Sequence, residues 1–252
     1  IRLSLVGSEM CIRDRSMECY ILNGLGKRLY LSWWKTYQEA IILKAVVLLS
    51  GGVDSATCLA MAVNSYGNDE VTALSIHYGQ KHEKEIECAR KLAEYYKVKH
   101  IEHDVSSVMD FSSCPLLKDR GEIEHKSYAE QLKEKGGQGT VDTYVPFRNG
   151  LFLSVATAIA LSLYASEVWY GAHLDDAAGR AYPDCTSEFV DSMRRAILEG
   201  TAYQVTLRAP LIFFNKAGVV EAGLRLDIPY QYTWSCYEGG DKPCGECGTC
   251  LD

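Results

Sequence analysis

From residue 44 onward the chain alternates short apolar runs with longer stretches whose apolar residues recur every three to four positions. Ala45–Leu49 is an apolar run that ends in Ser-Gly-Gly, which predicts a buried strand followed by a turn. Small and apolar residues from Asp54 to Val63 predict a helix. Val71–Tyr78, rich in β-branched and apolar residues, predicts a second strand. Between Lys81 and Tyr96 the apolar positions Ile86, Ala89, Ala93 and Tyr96 keep a helical period, and Lys99–Val105 reads as a third strand. Later, Asn149–Tyr164 predicts a buried helix and Glu167–Gly171 a short strand. Glu188–Leu198 places Phe189, Met193, Ala196 and Ile197 on one helical face. Thr206–Ala209 leads into Pro210, and Lys216–Leu226 predicts the last helix. Strands alternating with helices call for a parallel sheet covered on both faces, so the expected fold is a doubly wound α/β domain. No internal repeat interrupts it.

Two stretches depart from this pattern. Residues 106–143 are charged, contain Gly136, Gly137 and Gly139, and show no period; a connection that long is expected to be functional or partly disordered. Residues 1–43 mix basic and apolar residues without period, and lack the layout of a signal peptide. Their opening, LSLVGSEMCIRDR, resembles translated sequencing-adapter sequence. The native protein is therefore expected to begin near Leu43, with residues 1–43 a non-native or disordered extension; an amphipathic arm anchored by Trp33 and Trp34 is the alternative. Residues 44–228 are expected to form the catalytic domain and 229–252 a separate tail.

Composition narrows the chemistry. With 252 residues, 47% of them hydrophobic, the chain can bury one substantial core. A formal net charge of −7 argues against a direct nucleic-acid partner, because phosphate contacts need a basic surface. No apolar run of about 18 residues is present, so no membrane span is expected. Six of the ten cysteines are scattered (Cys11, Cys19, Cys58, Cys88, Cys114 and Cys185), most of them in apolar or helical stretches. Cys236, Cys244, Cys247 and Cys250 crowd together near the end, which favours a metal site in a reducing cytoplasm over disulfides.

The spacing of that cluster is C-x7-C-x2-C-x2-C. Four thiolates can close a tetrahedral zinc site with no open position, which makes such a site structural. Iron–sulfur clusters use similar sets of cysteines. Zinc is preferred here because the chemistry inferred below transfers no electrons.

The second motif is SGGVDS, Ser50 to Ser55, between the first strand and the first helix. Glycines let backbone amides approach an anion, and a helix N-terminus adds unpaired N–H groups and partial positive charge. Ser50 and Ser55 can donate hydroxyl hydrogen bonds, and Asp54 suits an N-cap or a magnesium contact. An ordinary capped strand-to-helix turn explains the same residues. No GxxxxGK[ST] occurs.

The full hexapeptide resembles the pyrophosphate-binding loop of the N-type ATP pyrophosphatases, which adenylate a substrate and release pyrophosphate. HYGQKHEKEIECA (His77–Ala89), YVPFRN (Tyr144–Asn149), GAHLDDAAGRAYPDC (Gly171–Cys185) and the four-cysteine tail follow in that order. Over residues 44–252 this series resembles the 7-cyano-7-deazaguanine synthases of queuosine precursor synthesis. The resemblance implies an adenine nucleotide alpha hydrolase-like sheet and a C–N ligase acting on 7-carboxy-7-deazaguanine, ammonia and ATP with Mg2+. The route runs through an adenylated acid, an amide and a second activation. It also implies one Zn2+ on Cys236, Cys244, Cys247 and Cys250, and a homodimer.

For ATP, the resemblance designates Leu49, Ser50, Gly51, Gly52, Val53, Asp54, Ser55, Ala56, Thr57, Cys58 and Leu59. Asp54, Ser55, Arg148 and Asp184 are its candidate catalytic residues. Arg148 can pair with the substrate carboxylate or a phosphate. Asp175, Asp176 and Asp184 flank a strand end and can hold magnesium or the N–H donors of the deazaguanine; each serves equally well as a cap or surface charge. Tyr182 can stack on the base. Cys185 is expected to be packed and inert, and His77 and His82 to be structural. Two departures stand out: Val53 replaces the Gln that many such synthases carry, and the chain stops two residues after Cys250, where the family continues into a basic helix, so a truncated product is expected. A tRNA sulfur-transfer enzyme and a non-enzymatic zinc-bearing nucleotide-binding module are the competing readings.

Overall fold

The computed structural model describes residues 44–251 and, before them, the backbone of four short strands. These are β1 (Ser4–Val6), β2 (Glu9–Arg13), β3 (Cys19–Leu22) and β4 (Arg28–Tyr30), paired in order as an antiparallel meander. They belong to a unit of residues 1–42, and residues 43–252 form a second unit. The expectation that residues 1–43 are a non-native extension falls mainly on residues outside those described.

In the second unit the chain runs through β5 (Ala45–Leu48), α1 (Val53–Tyr66), β6 (Val71–His77), α2 (Lys84–Tyr96) and β7 (Lys99–Asp104). It continues through α3 (Tyr128–Glu134), α4 (Arg148–Ser162), β8 (Glu167–Trp169), α5 (Leu174–Ala177) and α6 (Ser187–Gly200). It ends with β9 (Thr206–Arg208), α7 (Lys216–Arg225) and α8 (Gly248–Leu251). The sheet order is β7-β6-β5-β8-β9, and all four pairings are parallel. The chain walks outward from β5 to β7, then returns to the other side of β5 at β8. That reversal opens a crevice at the carboxyl ends of β5 and β8, the place where open α/β sheets bind ligands.

Period-two alternation explains why β5 reads as continuously apolar. Ala45, Val47 and Leu49 face a core shared with Ala56 and Leu59 of α1, Leu92 of α2 and Val219 of α7. Val46 faces the opposite core, with Leu153 and Ala156 of α4 and Val190 of α6. Burial on both faces leaves a central strand no polar side. The predicted elements are present with ends shifted by a few residues; α4 runs from Arg148 to Ser162 rather than from 149 to 164. It is buried on one face only: Leu153, Ala156 and Ala160 are inside, while Ser154, Ala158 and Leu161 are exposed.

Residues 106–143 carry more structure than their lack of periodicity suggests. Ile123, Val141, Leu116 and Leu117 are buried, and α3 forms inside the segment. Ser127 accepts a hydrogen bond from the Glu130 amide while the Glu130 carboxylate accepts one from the Ser127 amide, a reciprocal capping box. Seven helical residues are too few to display a period in the sequence. The cysteine tail packs into the same core through Cys236 and Cys247, and the Trp234 amide donates to the Gly51 carbonyl at 2.9 Å. Among the described residues no helix is long and apolar enough to cross a membrane.

Candidate active site

The turn after β5 is set by what lies behind it. Gly51 has φ +95°, and a Cβ there would sit 2.0 Å from the Glu85 carbonyl oxygen in the first turn of α2. Only glycine meets both demands. Ser75 of β6 donates its hydroxyl to the Leu49 carbonyl at 2.6 Å, fixing the strand end. The Ser50 and Ser55 hydroxyls lie 3.0 Å apart, the Ser50 amide donates to Ser55 Oγ at 3.2 Å, and Ser55 Oγ donates to the Gly52 carbonyl at 3.0 Å. Gly52 is the N-cap of α1, and no side chain caps that helix. The amides of its first turn therefore stay open to an anion.

Asp54 is the second residue of α1 and does not cap it, contrary to one of its expected roles. Its carboxylate accepts from Lys216 Nζ at 2.8 and 3.0 Å, and its Oδ1 lies 3.7 Å from His173 Nε2. The same His173 nitrogen lies 3.2 Å from Lys216 Nζ and 3.3 Å from an Asp176 oxygen. His173 is 2% exposed, and its Nδ1 has no partner. Burial pushes the Asp176 carboxyl above its usual value, against the pull of His173. Two carboxylates, a lysine and a buried imidazole thus meet where β5 and β8 diverge.

A cavity of about 500 Å³ opens over this cluster. One wall is Arg148, the first residue of α4, whose guanidinium donates to Tyr78 OH at 3.3 Å and lies 5.2 Å from that ring's centroid. Another part of the lining is phenolic. Tyr182 OH lies 2.6 Å from Thr143 Oγ1 and 3.1 Å from the hydroxyls of both Tyr128 and Tyr237, which are themselves 2.7 Å apart. Burial pushes the Tyr182 phenol up to about 12, so it stays protonated.

The cavity is lined by Leu49, Ser50, Gly52, Asp54 and Ser55 of the eleven expected ATP contacts. Ala56, Thr57, Cys58 and Leu59 are fully buried behind the loop, because α1 turns them into the core. Arg148, Asp175, Asp176 and Tyr182 come together at the cavity. Asp175 accepts from the Lys216 amide at 2.7 Å and so helps to cap α7. Asp184 is set apart from them. It is 2% exposed, does not line the cavity, and accepts the Asn149 amide at 2.9 Å in the first turn of α4. Burial raises its carboxyl, with the Asn149 amide and Arg148 opposing. Cys185 is 5% exposed, and burial drives its thiol well above the usual value, which denies it the thiolate a nucleophile needs. His77 pairs with Glu102 at 2.8 Å, and the His82 ring fills the space a side chain at Gly239 would take.

The four tail cysteines converge. Their sulfurs all lie within 4.8 Å of one another, and those of Cys244 and Cys250 are 3.9 Å apart. A tetrahedral zinc with bonds of about 2.3 Å asks for sulfur separations near 3.8 Å, so the set fits a metal ion. Amides of Glu246 and Cys247 donate to the Cys244 sulfur at 3.4 and 3.3 Å, which favours the thiolates a metal requires. Gly248 packs this centre on the site: a Cβ there would fall 2.5 Å from the Tyr128 ring.

The sequence model for "Queuosine biosynthesis protein QueC" matches residues 44–252. The chain belongs to that family. A 7-cyano-7-deazaguanine synthase from Archaeoglobus fulgidus is 44% identical over 211 residues, covering 83% of this chain and 84% of that protein. One from Caldicellulosiruptor saccharolyticus is 42% identical over 210 residues, covering 83% and 88%. A solved NMN synthetase from Francisella tularensis is 18% identical, covering 84% of this chain and 73% of that one with a TM-score of 0.49, too remote to bear on function.

Within the family frame, sequence reading passed over His173, Lys216, Glu85 and Tyr78. His173 had a usable signal: it stands just past the carboxyl end of β8, where ligands gather. Tyr78 and Glu85 lie within the HYGQKHEKEIECA run, which carries the resemblance without singling them out. Lys216 had no signal, since it sits in a stretch that reads as a solvated helix start.

Proposed function

We propose that the chain is an ATP-dependent C–N ligase that converts 7-carboxy-7-deazaguanine and ammonia to 7-cyano-7-deazaguanine, releasing AMP and pyrophosphate. One observation carries the reading: the uncapped first turn of α1 opens into the same cavity as Arg148, in a chain whose relatives are named for that product. The amides between Ser50 and Ser55 that the uncapped start of α1 leaves open hold the polyphosphate of ATP, which arrives with Mg2+. Lys216 would exchange its contact with Asp54 for a phosphate, and the freed Asp54 carboxylate would hold the nucleotide's magnesium. Arg148 orients the acid's carboxylate toward the α-phosphorus, and Tyr182 and its neighbours flank the deazaguanine ring. Asp175 and Asp176 are within the same cavity to receive its N–H donors. Asp184 works from behind, fixing the start of α4 and through it Arg148.

In this reading Cys236, Cys244, Cys247 and Cys250 hold one zinc ion, closed to substrate, whose contribution is to fold the tail against Tyr128 and the loop. The catalytic domain spans 44–228 with the tail as its clamp, residues 1–43 are a dispensable extension, and the protein is a cytoplasmic homodimer. Pyrophosphate release on mixing ATP, ammonia and the 7-carboxy substrate tests the function. ADP as the sole nucleotide product overturns it, as does release that requires tRNA.

A further inference from the structure

Four carboxylates line the cavity: Asp54, Glu85, Asp175 and Asp176. Three are engaged, by Lys216, the Lys216 amide and His173 respectively. Among the described residues Glu85 has neither a hydrogen bond nor a close ion pair. It sits in the first turn of α2, whose backbone presses on Gly51 of the loop. Its carboxylate feels the Arg148 guanidinium of α4 and the Tyr78 phenol that follows β6, which line the same cavity. An unpaired carboxylate thus lines the same cavity as the phosphate loop and the arginine assigned to the acid.

The amide-forming step needs such a group. Near neutral pH ammonia is mostly ammonium, which has no lone pair with which to attack. We infer that Glu85 is the base that takes a proton from ammonium for attack on the adenylated acid; this rests on the ligase reading above. Glu85 takes one proton from NH4+. The freed lone pair forms the C–N bond, and the C–O bond to AMP breaks with its electron pair passing to the phosphate. The second surplus proton on nitrogen leaves with that phosphate, and two hydrogens remain on the amide. Burial raises the Glu85 carboxyl to about 7 while Arg148 works the other way, so both protonation states are accessible at the working pH. Arg148, paired with the substrate acid, leaves Glu85 as the unengaged carboxylate among those that line the cavity.

The experiment separates activation from amide formation. With ATP, labelled pyrophosphate and the 7-carboxy substrate but no ammonia, Glu85→Gln is expected to exchange label within about twofold of wild type. With ammonia present, its amide formation should fall about 10²–10⁴-fold. Glu85→Asp, which keeps the carboxylate, should recover part of the loss and covers the case in which the Gln variant folds poorly. Exchange that falls in parallel with amide formation overturns the assignment, since Glu85 would then be binding the acid, the nucleotide or its magnesium. Amide formation at the wild-type rate in Glu85→Gln overturns it equally. If the wild-type protein shows no exchange at all, the ligase reading fails and the base goes with it.

Discussion

Replacing Gly51 by alanine tests the loop at its most constrained point. The added Cβ would lie 2.0 Å from the Glu85 carbonyl oxygen and 2.9 Å from the Ala89 amide nitrogen. Cβ atoms essentially never approach another heavy atom closer than 3.0 Å, and both obstacles are backbone atoms, so no rotamer change relieves the clash. Either the loop or α2 must move by about 1 Å. A non-glycine residue at φ +95° costs roughly 1–2 kcal/mol, and the forced shift about 1–3 kcal/mol more. Urea unfolding should therefore show a loss of about 2–5 kcal/mol. A displacement of about 1 Å in a positioning element also costs a rate on the order of 10²-fold, so pyrophosphate release should fall by at least that much. Gly52→Ala is the control. Its φ of −80° is ordinary, and the nearest neighbour of a Cβ there is the Ser50 hydroxyl at 3.5 Å. Its stability should stay within about 1 kcal/mol of wild type, because no backbone atom obstructs it. Its pyrophosphate release should nonetheless fall, since the methyl group occupies the anion's approach. If Gly51→Ala unfolds at the wild-type urea midpoint and turns over within threefold of wild type, the packing of loop on helix described above is wrong.

Asp54→Ala and Ser55→Ala should each abolish turnover while circular dichroism stays native; a rate near wild type in either would remove the loop from the ATP site. Cys247→Ser should lower metal content and melting temperature together by elemental analysis and thermal scanning, and iron with acid-labile sulfide in the purified wild type would replace zinc by a cluster. Glu167, 2% exposed, accepts from Tyr66 OH, Trp169 Nε1 and Arg208 Nε at 2.6, 2.8 and 2.8 Å, so Glu167→Ala should cost about 2–4 kcal/mol in urea unfolding, because three donors lose their acceptor. Burial works to raise this carboxyl, but those three bonds prevail and hold it below its ordinary 4.5. Its stabilisation is therefore present in full above pH 4.5 and lost as pH falls through the lower folded value. The wild type should lose stability across that acid window more steeply than Glu167→Ala, and parallel curves would refute the argument.

What the sequence alone determined are features that depend on neighbours along the chain. Period-two and period-3.6 patterns gave the doubly wound order of strands and helices, because each element must bury one face locally. SGGVDS and the cysteine spacing marked two centres, because a turn and a chelate are short-range objects. Tertiary structure decided the rest. It brought His173 and Lys216 onto Asp54 from two distant segments, and it left Glu85 unpaired at the cavity wall. It also moved Asp184 from the cavity to the start of α4, and folded the cysteine tail against Tyr128. Each of these is a contact between residues far apart in the chain. Such contacts are fixed by how two faces of one sheet are covered, and periodicity reports that a face is buried without naming what buries it.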